Sequence, residues 1–447
     1  MKDIFVFTEN LISGTLPFSF LIICGLYLTL RGGFFQFTRL FESFKLVVKA
    51  FLKKKKHTDN ISSLQCACTA LSATVGTGNI AGVAGAIALG GAGAVFWMWV
   101  SAFLGMAVKF TEISLSILYR KKESTYRYSG GPMYYITMGL NKKFKPLAII
   151  FAAVCIPAAL CTGNITQTNA AVTSISSNVF IKAIVGIIFA ILAASVITGG
   201  AKRIGAVTEK IVPIMSLLYI VLCSGVIFLN LDFLATAFKM IFIGAFHPAA
   251  VTGGVVGSVS VAALTGAGRG VFSNEAGLGT SAIAHAEAYD ADAETQGLFG
   301  LFEVFVDTIL ICTITALTIL CSRVNINYGS IASSELVNAS FKISYGNTAS
   351  FLLSAMLCFF AFSSVIGWAL YGEVSCDFLF GAKGKRLFLI FYPFACIVGA
   401  IMNVEVAWRI SAFFNGIMLC CNLPSILLLD PFKTHSKEGR FNDRRKN

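Results

Sequence analysis

Apolar runs of bilayer length recur from one end of the chain to the other, separated by short polar connections. A membrane-spanning helix needs about 20 apolar residues. On that measure helices are predicted near 11–31, 61–90, 93–119, 146–170, 180–199, 207–229, 253–289, 297–321, 347–380, 386–403 and 406–429, about eleven in all. The pattern is that of an all-α integral membrane protein. Two of the segments, 61–90 and 253–289, are interrupted in mid-run by glycines and polar residues. The first interruption is Thr74-Val-Gly-Thr-Gly-Asn-Ile-Ala-Gly82. The second runs from 266 to 279 and includes Arg269, Phe272, Ser273, Asn274 and Glu275.

A helix inside a bilayer can be broken only where its freed backbone groups line a cavity or are buried in protein. Two glycine-interrupted segments at matching places in two halves of a chain point to a transporter's binding site. Here they are five segments apart, and the ten segments after the first divide five and five. The predicted organisation is an extra leading helix within 1–33, an amphipathic basic segment at 34–60, inverted repeats at 61–230 and 231–430, and a basic tail at 431–447. Freed amides at a half-helix N-terminus attract a carboxylate, and freed carbonyls at a C-terminus attract an ammonium group or a sodium ion. Glycine clusters in membrane helices also serve close helix–helix contact. Asn79, Arg269, Asn274 and Glu275 weigh against that reading here, because such groups are costly at membrane depth. Arg269 and Glu275 are expected to pair or to hydrogen-bond structurally.

Only 13% of the 447 residues are charged, where a soluble domain has about a quarter. The net charge of +13 would suggest an acidic partner in a soluble protein, but its sidedness gives another reading. Connections after odd-numbered segments hold 27 Lys and Arg, and the opposite side holds six. By the positive-inside rule this places the N-terminus outside and the C-terminal tail in the cytoplasm, as in a bacterial inner membrane. No nucleic-acid partner is needed. Residues 34–56 set six phenylalanines beside Arg39, Lys45 and Lys49, ahead of four lysines at 53–56. That reads as an amphipathic helix lying on membrane lipid. Most of the 13 cysteines sit in apolar runs and are expected to pack as small hydrophobes. Cys66 and Cys68 are too close for usual metal spacing and the four histidines are scattered, so no zinc site is expected. Met1-Lys2-Asp3 carries little charge and no cleavage pattern follows, so the run at 16–30 reads as a first helix rather than a signal peptide.

The two interruptions also carry a resemblance. Gly76-Thr-Gly-Asn-Ile-Ala-Gly-Val-Ala84 and Arg269-Gly-Val-Phe-Ser-Asn-Glu-Ala-Gly-Leu-Gly279 resemble signatures of the alanine or glycine:cation symporter family. Gly130-Gly-Pro-Met-Tyr-Tyr-Ile136, Val306-Asp307-Thr308 and Gly367-Trp-Ala-Leu-Tyr-Gly-Glu373 are similar to further family patterns, and the resemblance covers nearly the whole chain. It implies a leucine-transporter-type five-plus-five inverted repeat with one extra N-terminal helix, Na+ as coupling ion and a small amino-acid substrate. By position it implies that amides at Thr77, Gly78 and Asn79 meet the substrate carboxylate, and that Phe272, Ser273 and Asn274 meet its ammonium and side chain. Gln167 would reach the pocket and Trp368 would limit its size. Hydroxyls of Ser363 and Ser364, with carbonyls near Ser72 and Val75, would hold sodium. Ser364 and Trp368 are four apart, so one helix face can carry both to the substrate. An intramembrane glutamine or serine pair can equally bond a neighbouring helix. Trp368 could anchor at an interface, although its mid-segment position argues against that.

The expected function is secondary active import of a small neutral amino acid such as alanine or glycine. One sodium ion entering down about 100 mV releases about 2.3 kcal/mol, enough for a roughly fifty-fold gradient of a neutral solute. Proton coupling is the alternative within transport, and a membrane sensor lies outside it. An enzyme is not expected, because no nucleophile–base, paired-aspartate or metal constellation falls at membrane depth.

Overall fold

The computed structural model describes residues 16–52, 60–124, 127–289, 291–330 and 334–429. The extreme N-terminus, the lysines at 53–56 and the basic tail at 431–447 lie outside these residues.

The chain opens with α1 (Leu16–Arg31) and α2 (Leu40–Leu52). The first interrupted segment follows as α3 (Ser63–Thr74), a π-turn at Gly78–Gly82, and α4 (Val83–Gly90). Its halves are bent by 48°. Ser62 and Gln65 bond each other's backbone at the start of α3, a reciprocal cap that fixes where the helix begins. Next come α5 (Ala94–Leu118), then α6 (Lys145–Leu160) and α7 (Thr166–Ile175) joined by a π-turn at Cys161–Ile165, then α8 (Val179–Ile197) and α9 (Gly200–Leu229). The second interrupted segment is α10 (Val259–Asn274) and α11 (Thr280–Ala286). After it come α12 (Ala293–Val304), a π-turn at Phe305–Cys312, α13 (Thr313–Cys321), α14 (Thr348–Phe391), α15 (Phe394–Ile401) and α16 (Val404–Leu429).

Seven helices among the described residues are long and apolar enough to cross a bilayer, and the bent α3–α4 pair makes eight. The other expected segments are shorter in the structure. α1 is seen only from Leu16, α10 and α11 have 16 and 7 residues, and α15 has 8. The expected boundary between 347–380 and 386–403 is a kink within α14 at Gly381, whose φ of 64° only glycine adopts readily. Helices Leu234–Phe246 and Ser334–Tyr345, and a hairpin pairing Lys121–Ser124 with Arg127–Ser129, were not predicted. They are too short to register as bilayer-length runs.

α5 is the hub, packed against α10, α11 and α12, and most of its side chains are buried. α14 fills the equivalent place against α6 and α7. The periphery is apolar: α8 exposes Ile184, Ile187, Ile188 and Ile191, and α9 exposes Ile214, Leu217 and Val221. Such faces fit hydrocarbon rather than water, and the protein is an integral membrane protein. The amphipathic α2 also presents Phe41, Val48 and Leu52 outward. Its other face is docked on protein, with Phe44 edge-on to Phe302 and Phe305 at 5.1 and 5.2 Å between ring centres. The expected cysteine behaviour is seen in the described residues: all 13 are free thiols, buried or half-buried.

Candidate functional site

The α3–α4 break leaves several backbone groups without helical partners. Val75 has ψ near 90°, which turns its carbonyl out of the helix. Among the described residues, the carbonyls of Ala73, Thr74 and Val75 accept no hydrogen bond, and the Gly78 amide has no acceptor. The other amides of the break are occupied. Gly76 N–H donates to Asn79 Oδ1 at 2.9 Å, and Thr77 N–H and Oγ1 donate to Gln167 Oε1 at 3.0 and 2.9 Å. Gln167 thus reaches the break and serves as its hydrogen-bond partner. Gly78 is the amide left open to a carboxylate, and a Cβ there would meet only Phe272, at 3.7 Å.

The second break lies later than the glycine run suggested. α10 stays helical through Asn274, so Gly266 and Gly270 are contact points rather than breaks. A Cβ at Gly266 would strike the Ala94 backbone, and one at Gly270 the Ser101 hydroxyl. The chain leaves the helix at Glu275, whose φ of 55° is rare for a residue with a Cβ. Gly277 and Gly279 follow with φ of 90° and 77°. Phe272, Ser273 and Asn274 therefore form the last helical turn. The carbonyls of Phe272 and Ser273 accept no hydrogen bond among the described residues. The Asn274 side chain is committed to Thr308 Oγ1 at 3.1 Å and to the Ala276 N–H at 3.0 Å.

Two buried charges on α5 hold this break, and the sequence alone assigned them no role. Lys109 Nζ donates to Asn274 O at 2.8 Å, capping the C-terminus of α10. Glu112, one turn on, faces the N–H groups of Gly277 and Gly279 just before α11. A cation at a helix C-terminus and an anion at a helix N-terminus both oppose the local dipole. Behind Lys109, Glu303 lies 3.9 Å away and binds His285 Nε2 at 2.6 Å. Of the two expectations for Arg269 and Glu275, the mutual pair does not form, and Glu275 instead hydrogen-bonds structurally. Glu275 accepts from Thr280 Oγ1 at 2.6 Å, and Arg269 rests over the Trp408 ring at 5.2 Å.

The breaks meet at Asp307, in the π-turn between α12 and α13. Its Oδ1 accepts from Asn79 Nδ2 at 2.7 Å, and its Oδ2 accepts from Ser273 and Thr308 hydroxyls, each at 2.8 Å. Asn79 Nδ2 also lies 3.0 Å from Ser273 Oγ. Asn79 and Ser273 are thus brought together on a fully buried carboxylate. The sequence showed Asp307 only as part of a pattern; its mid-segment position was the available signal.

The expected sodium residues are partly assembled. Ser364 Oγ donates to Ser72 O at 3.0 Å. A Cβ at Gly76 would come within 2.6 Å of Ser364 Oγ and 2.9 Å of Gln167 Oε1, so only glycine allows this closeness. Ser363 points away, to Phe360 O at 2.9 Å. Trp368 is fully buried, packed on Gly163 and edge-on to Tyr371 at 5.3 Å. Complete burial rules out an interfacial anchor. The hard oxygens at Ser72, Val75 and Ser364, and the carboxylate of Asp307, are ligands that suit a hard cation. Among the described residues no cluster of His, Cys, Asp and Glu suits a transition metal.

The family model for sodium:alanine symporters matches residues 1–447. The chain belongs to the sodium:alanine symporter family. The chain is 40% identical to the sodium/alanine symporter AgcS of Methanococcus maripaludis, over 95% of this chain and 93% of the relative. It is 35% identical to a Bacillus subtilis protein named "Probable sodium/glutamine symporter GlnT", over 96% and 88%. Its fold resembles that of MhsT, solved with L-phenylalanine, with a TM-score of 0.57, 13% identity, and coverage of 82% of this chain and 89% of that one. Its family and relatives are transporters and not enzymes, as the sequence implied.

Proposed function

We propose that the chain imports a small neutral amino acid together with sodium, by alternating access. The observation that carries this reading is the set of unpartnered backbone groups at two adjoining helix breaks. One buried amide, at Gly78, is free for a carboxylate, and the carbonyls of Phe272 and Ser273 are free for an ammonium group. Opposite partial charges on one small site suit a zwitterion. Thr77, Asn79, Asn274 and Gln167 shape the break, Phe272 covers Gly78, and Trp368 closes the far end of the pocket. Sodium takes the oxygens of Ser72, Val75 and Ser364, and Asp307 supplies the negative charge nearest the break. Ser363 becomes a ligand only if its hydroxyl turns from Phe360. Asp307 also supports proton coupling as a second reading, because it is titratable and bonded to both interrupted segments.

Uptake of a labelled amino-acid panel graded by size into proteoliposomes, under sodium, lithium or proton gradients, tests this. Alanine or glycine should accumulate with sodium, and larger side chains should fail. Accumulation that follows only the proton gradient would select the second reading, and no accumulation of any amino acid would sink both. A relative named for glutamine makes a small amide side chain a necessary member of the panel.

On this reading eleven helices span a bacterial inner membrane, with α1 leading two inverted five-helix repeats at 61–230 and 231–430. The 27-to-six charge split supports an external N-terminus and a cytoplasmic tail. A single cysteine at position 440 in a cysteine-free background should stay unlabelled by impermeant maleimide in intact cells. Labelling there before permeabilisation would reverse the orientation.

A further inference from the structure

We propose that Arg269 is a carboxylate-docking group at the outer approach to the break, receiving an amino acid before it reaches Gly78. This rests on the proposed function and adds a second, transient position on the substrate's route.

Arg269 lies on α10 one turn before Phe272, so the two side chains share a helix face. Both meet Trp408 of α16: the Phe272 ring centre is 4.8 Å from that of Trp408, and the Arg269 guanidinium is 5.2 Å from it. Phe272 in turn is the side chain that stands against Gly78. Gly78, Phe272, Trp408 and Arg269 therefore form a continuous chain of contacts leading away from the free amide. It leads toward the start of α10, the end of the segment remote from the basic connections.

Space accompanies it. A Cβ built at Gly82, one turn beyond Gly78, or at Gly268, beside Arg269, would meet no atom within 4 Å. Gly82 is nevertheless buried, so the open volume beside it is internal. Gly268 is exposed, so the space beside it is open surface, and the Gly78–Gly82 turn packs against α10.

Arg269 has a ring but no counter-ion. Among the described residues no carboxylate pairs with it or acts on it electrostatically, and no hydrogen bond engages it. The other half-buried arginines behave differently: Arg127 pairs with Glu287 and Glu373, Arg39 with Glu42 and Glu294, and Arg120 donates to the carbonyls of Ala286 and Ala288. A ring face steadies a guanidinium without neutralising it, and all five N–H donors remain for a planar anion. A charged group at membrane depth is costly unless paired. An incoming carboxylate would complete Arg269, while Phe272 and Trp408 beneath it delay passage to Gly78.

The test uses full-length wild type, R269Q and R269K in proteoliposomes, with labelled alanine outside and propionate as a carboxylate probe lacking the amine. In R269Q the KM for external alanine should rise roughly ten- to a hundredfold, the range expected on losing a charged hydrogen bond. The maximal rate should stay within about twofold of wild type. R269K should fall between, because it keeps the charge without the planar fork. Propionate should inhibit wild type at concentrations that leave R269Q untouched. If R269Q is inactive, R269K carries the decision through its KM and propionate response. Wild-type KM and propionate inhibition in either active variant would overturn the docking role while leaving the transport reading intact. A fall in maximal rate alone would return Arg269 to a packing role and also overturn it. Absence of any amino-acid uptake by wild type would overturn the transport reading and the docking role together.

Discussion

Lys109→Met is expected to abolish uptake and to destabilise the protein by about 3–5 kcal/mol, the range for removing one partner of a buried ion pair. The ammonium is fully buried. It is bonded to Asn274 O at 2.8 Å and faces Glu303 at 3.9 Å. Methionine fills much the same volume, so a cavity does not cloud the result. What is lost is charge. Glu303 would keep only His285, and the last carbonyl of α10 would lose its cap exactly where the chain turns into the left-handed Glu275. Thermal unfolding in detergent measures the stability term, and proteoliposome uptake the functional one. Lys109→Met with Glu303→Gln removes both charges, and this pair should recover much of the stability without recovering transport. That split separates holding the fold from holding the break. A stable and active Lys109→Met protein would show that the break needs no cationic cap.

The interrupted helices were legible because glycines and polar residues stand out within apolar runs. Their location was less so. Gly266, Gly268 and Gly270 looked like an unwound stretch, yet α10 runs through them. A glycine that admits a neighbouring backbone and a glycine that takes a positive φ look identical in sequence. At Gly266 the neighbour is the Ala94 backbone, a contact nothing local announces. The first break was placed correctly, because Thr77-Gly78-Asn79 concentrates polar groups in a short space. Its internal wiring was hidden: Gln167 lies 90 residues from Thr77, and Asp307 lies 228 from Asn79. Lys109 was visible as a charge inside a helix, but its acceptor is a backbone carbonyl, which leaves no trace in residue type. The Arg269–Glu275 pairing failed for a geometric reason. The six-residue interval spans the end of α10, and Glu275 turns away at φ 55°.

Asp307→Asn should leave the protein folded and weaken sodium-coupled uptake. The substitution keeps shape and most of the hydrogen bonding. The new amide oxygen can still accept from Asn79, and the new amide nitrogen can donate to Ser273, whose hydroxyl can rotate. Only the negative charge disappears. If a coupling cation sits about 4 Å from that carboxylate, the lost attraction is on the order of 1–4 kcal/mol between the limits of water and an effective protein dielectric. That weakens the cation roughly five- to several-hundredfold. The sodium concentration for half-maximal alanine uptake should therefore rise by at least about fivefold, while binding of alanine at saturating sodium should change far less. Ser364→Ala gives the comparison, because it removes a neutral ligand beside Ser72 and should shift sodium dependence by a smaller factor. Proton coupling predicts another outcome for Asp307→Asn: uptake in wild type would depend on external pH, and the variant would lose that dependence with sodium having no effect in either. Retention of wild-type sodium dependence by a folded Asp307→Asn protein would assign Asp307 to holding Asn79 and Ser273 in place. The coupling charge would then have to be sought at Ser72, Val75 and Ser364, where the ion would be held by neutral oxygens alone.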